Sequence, residues 1–204
     1  RLLLINLALE GYVDYDVNDR WCKWLPKAEN HLECNKGRLD FDVIAFRSVV
    51  PNGANARLGL SNRILEIEGL SKFKLSNEQN VIISPKYGRI KMSENRNFTF
   101  SGRVEAGNFE FSGTGFEFDY SDFLIALNSV DNMHIRAGID GEIGIDGKPR
   151  TRLVRNSIDG ITGTLEIDDP SNRSGWRYEF YSHYPVLNSE GPSYVYYDSQ
   201  NIHK

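Results

Sequence analysis

NFTFSGRVEAGNFEFSGTGFEFDY, residues 97–120, decides how this chain is read. Phe98, Phe100 and Val104 fall on one side of an extended backbone, with Thr99, Ser101 and Arg103 on the other. Successive side chains of a strand point to opposite faces, so this alternation marks a strand with one buried face. After Ala106-Gly107 the pattern restarts with Phe109 and Phe111. It restarts again after Gly113-Thr114-Gly115 with Phe116, Phe118 and Tyr120. FTFSG at 98–102 returns as FEFSG at 109–113 and as FEFD at 116–119. The spacing is unequal, so this is a local echo and not a strict repeat.

The same alternation runs outward in both directions. Val13, Tyr15 and Val17 alternate with Asp14 and Asp16, and Leu39, Phe41 and Val43 with Asp40 and Asp42. Leu65 and Ile67 alternate with Glu66 and Glu68, and Phe73 and Leu75 with lysines. Ile90 and Met92 alternate with Arg89 and Lys91, and Ile161, Leu165 and Ile167 with Thr162, Thr164 and Glu166. Residues 123–127 are apolar on both faces, which predicts a buried central strand. Residues 194–197 make a last short strand. Residues 2–9 suit helix or strand; strand is chosen because β alternation follows at once. Pro26 before KAENHLEC, closed by Gly37, predicts two helical turns. Residues 140–149 and 168–175 read as loops.

The expected fold is therefore all-β, one unit over 1–204 with no linker. Layered strands are favoured, as a β-solenoid or jelly-roll-like stack, with a two-sheet β-sandwich as the alternative. Apolar residues at 40% and charged residues at 25% suit a globular core. Eighteen glycines supply the many turns. The net charge is −4 and the basic residues are scattered. The densest group, Lys148, Arg150, Arg152 and Arg155, reads as the wet face of a strand, so no nucleic-acid partner is expected. No apolar run is long enough for a membrane-spanning helix. The apolar start at Arg1 and the strand just before Lys204 read as cuts within a longer chain.

No complete catalytic, metal or cofactor motif is present, and no cofactor is expected. Asp14, Asp16 and Asn18 open like a calcium loop, but Asp19 and Leu25 stand where it needs Gly and Glu. Asp140, Glu142 and Asp146 are a second, weaker calcium set. Cys22, His31 and Cys34 give three zinc-type ligands without a fourth nearby. Cys22 and Cys34 also permit a disulfide across a short loop. Phe111-Ser112-Gly113-Thr114-Gly115 resembles a nucleophile elbow but sits inside strand alternation. Asp168-Asp169-Pro170 reads best as a turn, because adjacent strand residues face opposite ways. Trp21, Trp24, Trp176 and Tyr178 are candidate ligand-binding platforms for a glycan; the competing reading makes them core or cross-strand pairs.

Three stretches carry a resemblance: NFTFSGRVEAGNFEFSG at 97–113, ITGTLEIDDPSNRSG at 161–175 and YPVLNSEGPSYVYYD at 184–198. Over residues 97–198 the chain resembles segments of very large, uncharacterised, β-rich proteins of Bacteroidota, exported or envelope-associated. The resemblance implies a segment of a long β-rich chain whose partners are the neighbouring segments, in the cell envelope, the periplasm or outside the cell. It implies no catalytic residue. The expected function is non-catalytic scaffolding. The alternatives are a glycan- or ligand-binding β module, and a hydrolase or lyase using Asp119, Asp168 or Asp169.

Overall fold

A computed structural model describes residues 1–38, 40, 44–143, 149–153, 158–191 and 194–195. The chain divides into two compact units, Arg1–Asp42 and Val43–Lys204, although its composition shows no break. The described residues form two helices and fifteen strands, and the fold is all-β in class.

The first unit holds α1 (Leu2–Leu9), β1 (Val13–Tyr15), β2 (Cys22–Trp24) and α2 (Pro26–Asn35). Residues 2–9 are thus a helix, against the expected strand. Their Leu and Ala content favours helix, and Ile5 is the only β-branched residue among them. The β alternation begins only after Gly11, whose φ of 78° closes the helix. Gly11 N donates to Ala8 O and Tyr12 N to Leu7 O, the paired bonds of a Schellman cap. The expected second helix is present, with Pro26 at its first turn and extended Leu25 before it. It ends in the same device: Gly37 N donates to Cys34 O and Arg38 N to Glu33 O. β1 and β2 form a hairpin that pairs Val13 with Trp24. The alternation at Leu39, Phe41 and Val43 lies outside the described residues.

The second unit holds β3 (Ala56–Gly59), β4 (Ile64–Ile67), β5 (Phe73–Ser76), β6 (Val81–Met92), β7 (Phe98–Ala106), β8 (Phe109–Asp119) and β9 (Leu124–Leu127). It continues with β10 (Ser129–Ile143), β11 (Pro149–Leu153), β12 (Ile158–Asp159), β13 (Thr162–Glu166), β14 (Val186–Glu190) and β15 (Tyr194–Val195). These make one 13-stranded sheet, in which the main order is β14-β13-β9-β8-β7-β6-β4-β3. β5 adds to the first part of β6, and β10 to the first part of β8. All strand pairs of this sheet among the described residues are antiparallel, so its layers are not parallel solenoid rungs.

Register turns the alternation into continuous rows. Leu65, Met92, Phe98, Phe118, Ile125, Leu165 and Leu187 stand opposite one another on successive strands. The centre of that row is buried: Phe98, Phe118, Ile125 and Leu165 are each at most 2% exposed. One residue along, Glu66, Lys91, Thr99, Glu117, Ala126, Thr164 and Asn188 form the matching outward row.

The three longest central strands share a line of irregularity. Between β7 and β8, Phe100 pairs with Phe116 but Gly102 pairs with Gly113, so β8 carries one extra residue at Thr114-Gly115. This bulge explains the echo. FEFSG and FEFD belong to one strand, and the extra residue returns Phe116 and Phe118 to the face already used by Phe111. At the same level, residues 86–89 bulge from β6 between Pro85 and Ile90. A Cβ on Gly102 would strike the backbone at Ser84 and Lys86, and one on Gly113 would strike Ser129 O. Beyond this line, Phe73 of β5 meets Phe98 of β7, ring centroids 6.0 Å apart, and Phe46 touches both. The two parts of the sheet therefore close on one core.

Three further expectations change. In residues 123–127, Phe123 has a left-handed φ of 53° and precedes the strand. Leu124 and Ala126 are only half-buried, so β9 buries one face and not two. Residues 140–143 extend β10 and are not loop; β10 pairs with β11 across residues 144–148, which lie outside the described set together with Asp146. Of the six echo phenylalanines, five are buried, and Phe109, beside the β7–β8 turn, is 37% exposed.

Phe98→Ala is expected to cost about 3–5 kcal/mol in urea unfolding, because it opens a cavity at the centre of the buried row. Phe109→Ala should cost markedly less in the same measurement.

Candidate functional site

The sequence-named aromatics are exposed. Trp21 (44%) and Trp24 (60%) lie in the first unit, Trp176 (71%) and Tyr178 (40%) in the second. Cys22 and Cys34 are free thiols, not the disulfide that the sequence permits. Cys22 sits on β2, while the Cys34 thiol donates to Asp40 O at 3.0 Å. His31, the third zinc-type residue, lies edge-on to Tyr12. Asp16 spends one carboxylate oxygen on the backbone N–H groups of Asn18 and Asp19. No three His, Cys, Asp or Glu side chains among the described residues converge as a metal site.

Trp176 and Tyr178 belong to a segment whose anchoring the sequence does not reveal. Ile167, one residue past β13, donates its N to Phe123 O, and Asp168 follows it inward at 1% exposure. There the Asp168 carboxylate accepts from Gln79 Nε2 at 3.0 Å, from Asn172 Nδ2 and from Asp169 N at 2.8 Å. Gln79 and Asn172 are themselves buried. Gln79 Nε2 also reaches Tyr181 O, and Asn172 Oδ1 accepts from Arg177 N. Arg173 donates to Tyr120 O and Ser121 O, with its guanidinium 4.7 Å from the Tyr120 ring centre. Successive turns then carry the chain from Gly175 to Tyr184. The result is a pinned segment that presents Trp176, Tyr178 and Phe180 to solvent, Phe180 at 77% exposure.

Burial pushes the Asp168 carboxyl above its ordinary value despite three sets of donors, and the Asp169 charge adds to the rise. Asp169 goes the other way. The hydroxyl and backbone N–H of Ser171 hold it low, helped by Arg177 and His183. Burial, then the charges of Glu166, Asp169 and Asp168, raise the Tyr184 phenol. Asp119 is held low by the backbone of Asp122 and Ser121 and by Asn97, against burial. The three acids named as catalytic candidates thus each serve a turn or a buried network.

A second polar cluster lies on the outward face. Glu105 and Glu110 are cross-strand partners, bracketed by Arg103 and Arg136. Burial pushes the Glu110 carboxyl up, but Arg136 at 2.6 Å and Arg103 at 3.3 Å win and hold it below its ordinary value. Two open clefts also mark this face. One, of about 410 Å³, runs beside the β6 bulge from Lys86 to Gly115. The other, of about 390 Å³, runs from Ile64 to Ala126 and includes Asp119 and Asp122. Sequence reading missed Gln79, Asn172 and Arg173 because polar residues in turn-rich stretches look solvated. Alternation gave no signal: it places Asp168 with Thr162, Thr164 and Glu166 on the outward face, yet Asp168 is buried directly beside buried Ile167.

No helix among the described residues is long and apolar enough to cross a membrane. No protein-family model, curated protein or solved structure matches the chain.

Asp168 gives a pH test. Its raised native pKa means that the folded chain holds the proton more tightly than the unfolded chain. Its contribution to stability is complete below the ordinary value of 3.8 and is lost as pH rises through the native value. The stability of the wild type minus that of Asp168→Asn should therefore fall as pH is raised from about 4 to about 7, read from urea midpoints.

Proposed function

We propose that this chain is a non-catalytic scaffolding segment of a larger exported or envelope protein, with the neighbouring segments of that protein as its partners. The observation that carries the reading is the employment of its acids. Asp119 and Asp169 cap turns, Asp168 is buried among amide donors, and Glu110 is tied to two arginines. General acid–base work needs a carboxyl within reach of a substrate proton and a pKa matched to the task. Neither the low-pKa turn caps nor the enclosed Asp168 meets both needs. The purified chain, screened on glycoside, polysaccharide and ester substrates, should show no turnover above buffer. Turnover that disappears in Asp119→Asn or Asp169→Asn would overturn the reading.

A second reading, recognition of a neutral glycan, is favoured by the pinned segment from Gly175 to Tyr184. Large exposed rings held on an anchored backbone lose little freedom when a sugar face stacks on them. Trp176 and Tyr178 are the residues assigned, with Phe180 beside them. Affinity electrophoresis through gels containing neutral polysaccharide should retard the wild type, and Trp176→Ala with Tyr178→Ala should restore free mobility. Unretarded migration of the wild type across a broad polysaccharide panel would remove this reading.

A further inference from the structure

Among the described non-glycine residues with positive φ, two are aromatic: Phe123 at 53° and Tyr87 at 58°. A bulky side chain in the left-handed region is strained and persists where something else compensates it. For Phe123 the compensation is burial, since it is completely enclosed. Tyr87 has no such return, because it is 80% exposed. The backbone shape of the bulge has its own cause: Gly88 O accepts from Leu70 N, and a Cβ at 88 would strike Leu70. That contact explains the turn but not the choice of tyrosine at its tip, where glycine or asparagine would sit with less strain.

The ring stands at the lip of the 410 Å³ cleft. Lys86 and Arg89 flank it on the same bulge, and Thr99, Ser101 and Thr114 line the cleft from β7 and β8. Lys86 Nζ lies 5.3 Å from the Tyr87 ring centre and has no carboxylate partner among the described residues. Arg89 is matched by Glu68 at 3.1 Å, and Lys91 by Glu66 at 3.2 Å. The cleft thus combines an exposed ring, a row of hydroxyl-bearing residues and a modest positive charge.

We propose that this cleft binds an acidic oligosaccharide, with a sugar ring stacked on Tyr87, its hydroxyls bonded to Thr99, Ser101 and Thr114, and its carboxylate facing Lys86. Stacking uses the apolar face of the sugar, and hydroxyls exchange hydrogen bonds in both directions. A phosphate polymer is disfavoured. The internal sugars of a deoxynucleotide strand offer no free hydroxyl to Thr99, Ser101 or Thr114. The site is independent of the Trp176 segment, and different variants test the two.

The test is calorimetric titration of the whole chain at low salt with hexagalacturonate, a neutral glucose hexamer and a thymidylate hexamer. Hexagalacturonate should bind, weaken as salt is raised, and exceed both other ligands by about tenfold or more. Tyr87→Gly is the decisive variant. Glycine tolerates φ of 58°, so the thermal midpoint should hold or rise while hexagalacturonate affinity falls by about tenfold. Lys86→Ala should lower affinity and flatten its salt dependence, and Trp176→Ala should leave it unchanged. The proposal is overturned by equal affinity for the neutral hexamer, by tighter binding of the thymidylate, by absence of hexagalacturonate binding, or by a Tyr87→Gly protein that binds normally.

Discussion

The contact between Phe98 and Phe118, ring centroids 4.7 Å apart across adjacent strands, is the centre from which the second unit is built. It forms only if β7 and β8 pair in one register, and that register passes to β6 on one side and β9 on the other. A slip of one residue would turn every phenylalanine of the row to solvent and bring Thr99 and Glu117 inward. Large aromatic pairs across a non-polar face make that slip costly, which is why a polar outward row can be carried without loss of definition. The sheet bends where glycine replaces side chain. Gly102 and Gly113 let backbones approach, and the extra residue at Thr114-Gly115 restores the inward face after the bend. Core and outward cleft are two sides of the same local irregularity.

The strand content was legible in residues 97–120 because period-two alternation is itself the physical cause of a half-buried strand. The unequal echo held more than it gave up at first sight. An offset of eleven joins two strands of a hairpin, whereas an offset of seven is odd and keeps one face only if a residue is extruded. Residues 2–9 misled for a different reason. An eight-residue apolar run carries no period, and the deciding signal was Gly11, a helix terminator that also looks like a strand opener. Residues 123–127 looked apolar on both faces, yet Phe123 leaves the strand by its left-handed backbone.

Polar residues were harder to place than apolar ones. Asp168 and Asn172 are hydrophilic in a turn-forming stretch, and both are 1% exposed. Their burial depends on Gln79, far away in sequence, and no local pattern encodes such a partnership. Exposed aromatics raise the converse difficulty. Trp176 and Phe180 fit a core by composition, but a pinned backbone holds them outward. For the candidate site, sequence supplied the residue types and could not supply which of them meet.

The order of strands also bears on how the second unit assembles. β6, β7, β8 and β9 are neighbours in the sheet and consecutive in the chain, so each joins its predecessor through a short connection. Closing short loops is entropically cheap, and local pairings of this kind form early. β13 is the exception, because it must return past β10, β11 and β12 to lie against β9. Only then can Asp168 reach Gln79 and Arg173 reach the turn after β8. The aromatic segment is thus fastened by contacts between parts of the chain far apart in sequence, whereas β6 to β9 pair with their immediate neighbours.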